Sequence, residues 1–131
     1  MKFTAALTGL AFALLTCRAG QPVTPTQPLE LFNGKDFNGW TFCMKGHADP
    51  ALTWSITNGV IHCTGKPTGY LRTKQSYSHY VVNVEWRFVK VAPKADNTGV
   101  LVYIQPPDQV WPKCIQNQGK SGRQGDFFVM A

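Results

Sequence analysis

Two charged residues, two positions apart, are the first candidates for chemistry in this sequence. Glu85 and Arg87 lie within the stretch Val84-Glu85-Trp86-Arg87-Phe88. In an extended strand, residues i and i+2 project from the same face. A carboxylate can act as a general base, and an arginine can orient it or bind an oxyanion. The other interpretation is an ion pair on a solvated sheet face, which contributes little to stability; these residues alone leave both open.

Other polar and aromatic side chains fall at positions that suit sugar binding. The same alternation places Tyr103 on the outward face of the next strand, and Gln116 and Gln118 on that of a third. If the three strands share a concave sheet, these side chains line a polar trough of the kind that binds carbohydrate. Gln116 can bind a substrate there but cannot take a proton, because an amide is not basic. Trp111, just before a proline, is either a stacking platform for a sugar ring or a core tryptophan.

The elements that must carry these residues are strands. Nine prolines and twelve glycines punctuate the chain, and no sustained 3.6-residue apolar stripe follows residue 20. Short β-branched and aromatic runs between such turns predict an all-β protein. In the longest run, 80–89, Val82, Val84, Trp86 and Phe88 share one face, which we predict to be the core face. The predicted strands are 29–32, 53–57, 60–63, 70–73, 80–89, 98–105, 114–118 and 127–130.

Two turn regions accompany these strands. Asn58-Gly59, between two short apolar runs, predicts a hairpin with a two-residue type I′ turn. A second turn is expected at 90–97, and 119–125 reads as a glycine-rich loop.

Residues 1–20 have the pattern of an export leader. Lys2 provides a positive start, and the apolar run 5–15 is short for a membrane span. Leu14-Leu15-Thr16-Cys17 predicts lipidation of Cys17, whereas Cys17-Arg18-Ala19 before Gly20 predicts ordinary signal peptidase cleavage, and the sequence leaves both open. Residues 21–28, with three prolines, are interpreted as an extended tether, and 29–131 as the folded domain. We therefore expect an exported protein that is periplasmic, extracellular or on the cell surface, and that meets a membrane only through its leader or a lipid.

The charge does not favour a nucleic-acid partner. The formal net charge is +6, from thirteen basic and seven acidic residues, and Lys2 and Arg18 lie in the leader. The remaining lysines are scattered through turn-like segments, with no basic stripe interleaved with aromatics. Nucleic-acid binding is therefore not expected, and the oligomeric state is left open.

Four cysteines, Cys17, Cys43, Cys63 and Cys114, are present without Cys-x-x-Cys or Cys/His metal spacing. In an oxidising compartment we expect Cys43 and Cys63 to pair, with buried free thiols as the alternative. No cofactor is predicted, and a divalent metal is left open.

Short motifs in one fixed order carry a resemblance to a known family. They are 31–40 (LFNGKDFNGW), 65–73 (GKPTGYLRT), 84–88 (VEWRF), 97–100 (NTGV), 111–118 (WPKCIQNQ) and 125–127 (GDF). In this order they resemble the 3-keto-disaccharide hydrolase family, which is associated with 3-keto-glucoside lyase and hydratase chemistry. The resemblance covers about 29–131 and implies a concanavalin-like jelly-roll β-sandwich. Family members continue for several more strands, so we expect the domain to be truncated at its C-terminus.

The resemblance also implies a reaction and the residues for it. A ketone at C3 of the sugar acidifies the C2 proton, so a base can remove it and expel the C1 substituent, after which water adds back. Glu85 and Asp126 are the implied catalytic carboxylates, although Asp126 also suits a capping role beside the glycine-rich loop. The substrate-binding residues implied with them are Arg87, Tyr103, Trp111, Gln116 and Gln118.

Two positions depart from the family pattern. Relatives often have Glu-x-Gln where this chain has Gln116-Asn117-Gln118, and a basic residue where it has Tyr103. A non-catalytic carbohydrate-binding module on the same sandwich is therefore the alternative function, and a structural adhesion domain is a third.

Overall fold

The structure, a computed structural model, describes residues 20–89 and 97–131. The leader with Cys17, apart from Gly20, and almost all of the turn expected at 90–97 lie outside the described residues. The described strands are β1 Trp40–Met44, β2 Trp54–Thr57, β3 Val60–Cys63, β4 Gly69–Thr73, β5 Gly99–Val102, β6 Cys114–Gln118 and β7 Phe127–Met130. Two single-turn 3-10 helices, Lys45–His47 and Pro50–Leu52, lie between β1 and β2.

All strand pairings in the described ranges are antiparallel. β1 pairs with β4, β2 pairs with β3, and β5, β6 and β7 form a three-stranded sheet in that order. The prediction of an all-β protein is confirmed, with antiparallel sheets that are consistent with a β-sandwich. The jelly-roll topology and the truncation stay predictions.

The hairpin predicted at Asn58-Gly59 is present. Asn58 and Gly59 have φ values of 51° and 73°, which is the left-handed pair that a type I′ turn requires. Asn and Gly tolerate this conformation better than other residues, so the local sequence is sufficient to specify the β2–β3 turn.

The β1–β4 sheet has one apolar and one polar face. Phe42 lies opposite Leu71 on the apolar face, while Cys43 lies opposite Tyr70 on the polar face. The two strands approach closely at Gly69, where an added Cβ would lie 2.5 Å from the carbonyl oxygen of Cys43. The sheet thus needs glycine at this position, and β1 is an element that the sequence did not predict.

The three-stranded sheet buries its more polar face. Cys114 and Gln118 are buried on one face of β6. On the other face, Phe127 and Val129 of β7 are 71% and 82% exposed. The covered face of this sheet is therefore the one that carries hydrogen-bonding side chains.

The strand predicted at 80–89 is not formed, and the prediction of a core face there is wrong. Val82, Val84 and Trp86 are all exposed, and the segment makes no strand ladder. Val84 and Trp86 lie beside Thr98–Val100 across a shallow cavity of about 60 Å³. Alternation is a local signal, whereas a strand needs a neighbour for its amide and carbonyl groups, so the pattern alone was insufficient.

Two further segments, 29–32 and 21–28, differ from the structure predicted from the sequence. Residues 29–32 form no strand, and the carbonyl of Leu31 instead accepts a hydrogen bond from Trp40 Nε1 at 2.9 Å. Within the segment read as a tether, Val23 makes a parallel bridge to Tyr77, with its amide 2.9 Å from the carbonyl oxygen of Ser76.

Candidate functional site

A group of side chains on the face of the three-stranded sheet that carries Gln118 forms the first polar cluster, which we call the glutamine face. Gln116 of β6 lies opposite Phe128 of β7. The amide of Gln118 donates to the carbonyl of Asp126 at 2.8 Å, which extends the same pairing by two residues. Gln116, Gln118, Phe128 and Asp126 therefore share one face, and Arg123 joins them from the preceding loop.

The two glutamine side chains hold each other in place. Gln116 Nε2 donates to Gln118 Oε1 at 3.2 Å, and the amide of Lys120 donates to the same oxygen at 3.1 Å. Within the described residues, Gln116 Oε1 and Gln118 Nε2 have no protein partner, so one acceptor and one donor remain for a ligand. This pair of groups suits a sugar hydroxyl, which both donates and accepts.

Arg123 adds a positive charge that the sequence did not point out. Its Nε donates to Asp126 Oδ2 at 2.8 Å, and its guanidinium carbon lies 5.3 Å from the centre of the Phe128 ring. Both partners of the ion pair are exposed to solvent. The basic residue three positions before Asp126 was the only signal for this contact, and such spacings are too common to be specific.

The glutamine face combines a carboxylate, a cation and two amides. A carboxylate can remove a proton, and a guanidinium can stabilise negative charge that develops on a neighbouring oxygen. Gly99 leaves room on this face, since an added Cβ there would lie 2.6 Å from Gln116 Nε2. The face can therefore bind a polar ligand and act on it as a base.

Glu85 and Arg87 are not brought to this cluster by any contact in the structure. Both are exposed on the segment that forms no strand. In the described ranges the ion pairs are Arg72–Asp108 and Arg123–Asp126, so Glu85 and Arg87 do not pair with each other.

Tyr103 and Trp111 both lie in the loop between β5 and β6. They are 72% and 65% exposed, and both have left-handed backbones, with φ values of 56° and 66°. Tyr103 ends β5 earlier than predicted, because a left-handed residue cannot continue the strand. Pro112, directly after Trp111, is fully buried, so the loop is anchored where the tryptophan side chain meets solvent.

A second polar cluster, which we call the arginine clamp, consists of Tyr70, Arg72 and Asp108. Arg72 Nε lies 3.0 Å from Asp108 Oδ1, and Arg72 Nη2 lies 2.5 Å from Oδ2. The Tyr70 hydroxyl donates to Oδ1 at 3.2 Å. The clamp thus joins β4 to the β5–β6 loop by a bidentate ion pair.

The charges of the clamp stabilise one another. The hydrogen bonds from Arg72 lower the pKa of the Asp108 carboxyl, and the same contact raises the pKa of Arg72. Burial raises the pKa of the Tyr70 phenol, and the neighbouring Cys43 and Asp108 raise it further. At neutral pH the clamp therefore contains an ionised carboxylate, a guanidinium and a neutral phenol that donates.

Sequence reasoning missed the clamp for a topological reason. Tyr70 and Arg72 lie two residues apart on one face of β4. Asp108 is 36 residues away from Arg72 in the chain, after Pro106-Pro107, and no short-range pattern links the two residues.

The predicted disulfide is not formed. Cys43 and Cys63 are both free thiols, and they lie in different sheets, β1–β4 and β2–β3. Cys43 and Cys63 are close in the sequence, but Cys43 lies in β1, which pairs with β4, and Cys63 lies in β3, which pairs with β2. Cys114 is a buried free thiol whose pKa is raised by burial.

The described residues offer no ready metal site or membrane span. In 20–89 and 97–131, no group of three or more His, Cys, Asp or Glu residues is placed to hold a metal ion. Over the same ranges, no helix has the length and apolar character needed to cross a bilayer.

Comparison with known families gives one match. A family model described as a 3-keto-alpha-glucoside-1,2-lyase-like domain matches residues 27–127, which is most of the chain. The chain belongs to this family. Searches of curated proteins and of solved structures found no match. The expected family resemblance is thereby confirmed, and the 3-keto-alpha-glucoside-1,2-lyase-like region includes both the glutamine face apart from Phe128 and the whole arginine clamp.

Proposed function

We propose that this domain cleaves glycosides whose glucose unit carries a ketone at C3. The observation that carries the proposal is that the family match includes Asp126 and Arg123, which form an ion pair, and the neighbouring Gln116 and Gln118. The family name implies a carbohydrate substrate, and the glutamine face provides groups that suit one.

The proposed reaction is a β-elimination followed by hydration. A base removes the proton at C2, which the neighbouring C3 ketone makes acidic. The electron pair of the C2–H bond forms a C1=C2 double bond, the C1–O bond breaks, and the leaving oxygen takes a proton. Water then adds, with its oxygen bonding to C1 and a proton returning to C2, so that the net result is hydrolysis to a 3-keto sugar and an alcohol.

Asp126 is the base in this scheme, and Arg123 stabilises the enolate oxygen. Their contact supports the assignment, because it holds the carboxylate and a positive charge side by side, so that the charge can lie near the oxygen that becomes negative. Gln116 Oε1 and Gln118 Nε2 bind hydroxyls of the sugar. A jelly-roll sandwich would place this face in its concave sheet.

Glu85 is the second carboxylate that we propose for catalysis, with Arg87 beside it, and Tyr103 and Trp111 contact substrate. Glu85 is exposed and makes no contact with the residues of the glutamine face. Glu85→Gln and Asp126→Asn, assayed side by side, distinguish the roles of the two carboxylates.

The test uses a methyl 3-keto-α-glucoside incubated with the protein in D₂O. Elimination predicts an enone absorbance in the ultraviolet, release of methanol and deuterium at C2 of the product. Asp126→Asn should lower the rate about a hundredfold or more, since removing a general base typically has such an effect. Asp49→Asn, which makes the same chemical change at an exposed helix cap, should leave the rate unchanged.

Two outcomes contradict the proposal. No turnover and no C2 exchange, with saccharide binding intact, would establish the carbohydrate-binding alternative instead. Full activity of Asp126→Asn with loss of activity in Glu85→Gln would move the base to Glu85.

We also propose that the protein is exported and lipidated at Cys17. The lipobox-like 14–17 and the proline-rich 21–28 support this. Mass spectrometry of the mature protein should find a diacylated cysteine at its N-terminus; an N-terminus at Gly20 would exclude lipidation.

A further inference from the structure

The β5–β6 loop exposes a tryptophan on a backbone that bulky residues seldom adopt. Trp111 is 65% exposed with φ 66°, although its neighbour Pro112 is fully buried. An exposed indole normally relaxes into the surface, because burying it is favourable. Left-handed backbone at a large residue persists only where surrounding contacts hold it, and such outliers cluster at ligand sites.

Two hydrogen bonds within the loop account for part of that restraint. The amide of Gln105 donates to the carbonyl of Lys113 at 2.9 Å, and Gln105 Nε2 donates to the carbonyl of Tyr103 at 3.2 Å. These contacts close the base of the loop at 105 and 113. The middle of the loop, which includes Asp108, is not fixed by these two bonds and is held by residues outside the loop.

Asp108 is held by the arginine clamp. Arg72 is itself oriented, because its Nη1 donates to the carbonyl of Thr73 at 3.1 Å while Nε and Nη2 bind the carboxylate. With Tyr70 also donating to it, the Asp108 carboxylate accepts four hydrogen-bond contacts. These contacts occupy both oxygens of the Asp108 carboxylate, which leaves it little room to take a substrate proton, and its position in the loop makes it an anchor.

We propose that Arg72 and Asp108 are positioning residues that hold the β5–β6 loop so that Trp111 stacks on the glucose ring of the 3-keto-glucoside. The proposal rests on the proposed function for its substrate. Fixing an aromatic platform in advance lowers the entropy lost on binding, so the clamp acts on affinity rather than on the chemical step.

This division of roles predicts a specific pattern in the kinetics. Asp108→Asn and Trp111→Ala should each raise KM about tenfold, equivalent to ~1.4 kcal/mol, with kcat within about twofold of the wild type. The double variant should be no worse than Trp111→Ala alone, because the clamp acts through the tryptophan. Arg72→Lys, which keeps the charge but loses the planar fork, should behave like Asp108→Asn.

A second readout does not depend on turnover. Hydrogen exchange of the Gln105 amide and of the loop 103–113 should speed up in Asp108→Asn and Arg72→Lys, and should be unchanged in the matched control Asp49→Asn. Exchanging the two charges, in the double variant R72D/D108R, should restore slow exchange and the wild-type KM.

The results separate the clamp from the proposed function. If the wild-type protein is inactive but the loop still exchanges faster in Asp108→Asn, the proposed substrate is wrong and the anchoring role of the clamp is supported. Unchanged exchange in Asp108→Asn, or KM effects of Asp108→Asn and Trp111→Ala that multiply, overturns the positioning role even if the enzyme is active.

Discussion

Gln118 and Asp126 lie directly opposite each other where β6 runs past the start of β7, joined by an amide-to-carbonyl hydrogen bond of 2.8 Å. This pairing places the carboxylate of Asp126 on the same side of the sheet as both glutamines. It also brings the loop 119–125 back onto the sheet, so that Arg123 reaches Asp126 and covers Phe128. The arrangement of the glutamine face therefore follows from strand register rather than from a local motif.

Removing the positive charge of this face should slow catalysis. Arg123→Gln deletes the group that we assign to the enolate oxygen, and losing one such stabilising group typically lowers kcat by ~10²–10³-fold. Arg123→Lys should retain part of the activity. The measurement is kcat with a methyl 3-keto-α-glucoside, and equal loss of activity in Lys and Gln variants would contradict a role for charge.

The contribution of the Arg72–Asp108 ion pair to stability should be lost in acid. Because the folded-state pKa of Asp108 is lowered, its contribution is present above the unfolded-state pKa, near 4, and is lost as pH falls through the folded value. The side chains of Arg72 and Asp108 are 33% and 41% exposed, so the ion pair contributes ~1 kcal/mol or less to the free energy of unfolding.

Thermal unfolding of the wild type and Asp108→Asn checks this sign. The difference in Tm should be constant between pH 5 and 8, on the basis that an unperturbed Asp titrates near 4, and should vanish in stronger acid. A difference that grew on acidification would contradict the direction of the pKa shift.

Thr53 should be sensitive to loss of its hydroxyl. It is 2% exposed, and its Oγ1 donates to the carbonyl of Pro67 at 2.7 Å, which ties the start of β2 to the approach to β4. Thr53→Val leaves that carbonyl without its donor and should lower the free energy of unfolding by ~1–3 kcal/mol. Thr57→Val, at the exposed end of β2, is the control and should change it by less than ~0.5 kcal/mol in denaturant titration.

The exposed face of β7 should promote self-association. Phe127 and Val129 project into solvent, and in the described residues β7 pairs on one side only, with β6. An apolar strand with an unpaired edge is a site for intermolecular pairing. Phe127→Thr with Val129→Thr should therefore lower the associated fraction in sedimentation experiments while preserving β-propensity.

The neighbouring Phe128 is the control for that experiment. It faces the other way, beneath Arg123, so Phe128→Thr should lower the Tm without improving solubility. Equal association of the wild type and the double variant would assign self-association to another surface.

The sequence by itself determined the features that depend on a few adjacent residues. Asn58-Gly59 specified the β2–β3 hairpin because those two residues accept left-handed backbone, and the ordered motifs from 31 to 127 predicted the family. The alternation of Gln116 and Gln118 likewise predicted that they share a face, since side chains along any strand alternate.

Tertiary structure decided what depends on the neighbour that each strand finds. The alternation at 80–89 did not produce a strand, and within the described residues no backbone partner satisfies its amides and carbonyls. Cys43 and Cys63 belong to different sheets although they are close in sequence. Arg72 meets Asp108 across 36 residues of chain, which no local pattern predicts. The three-residue spacing of Arg123 and Asp126 is local, but it is too common to specify their contact.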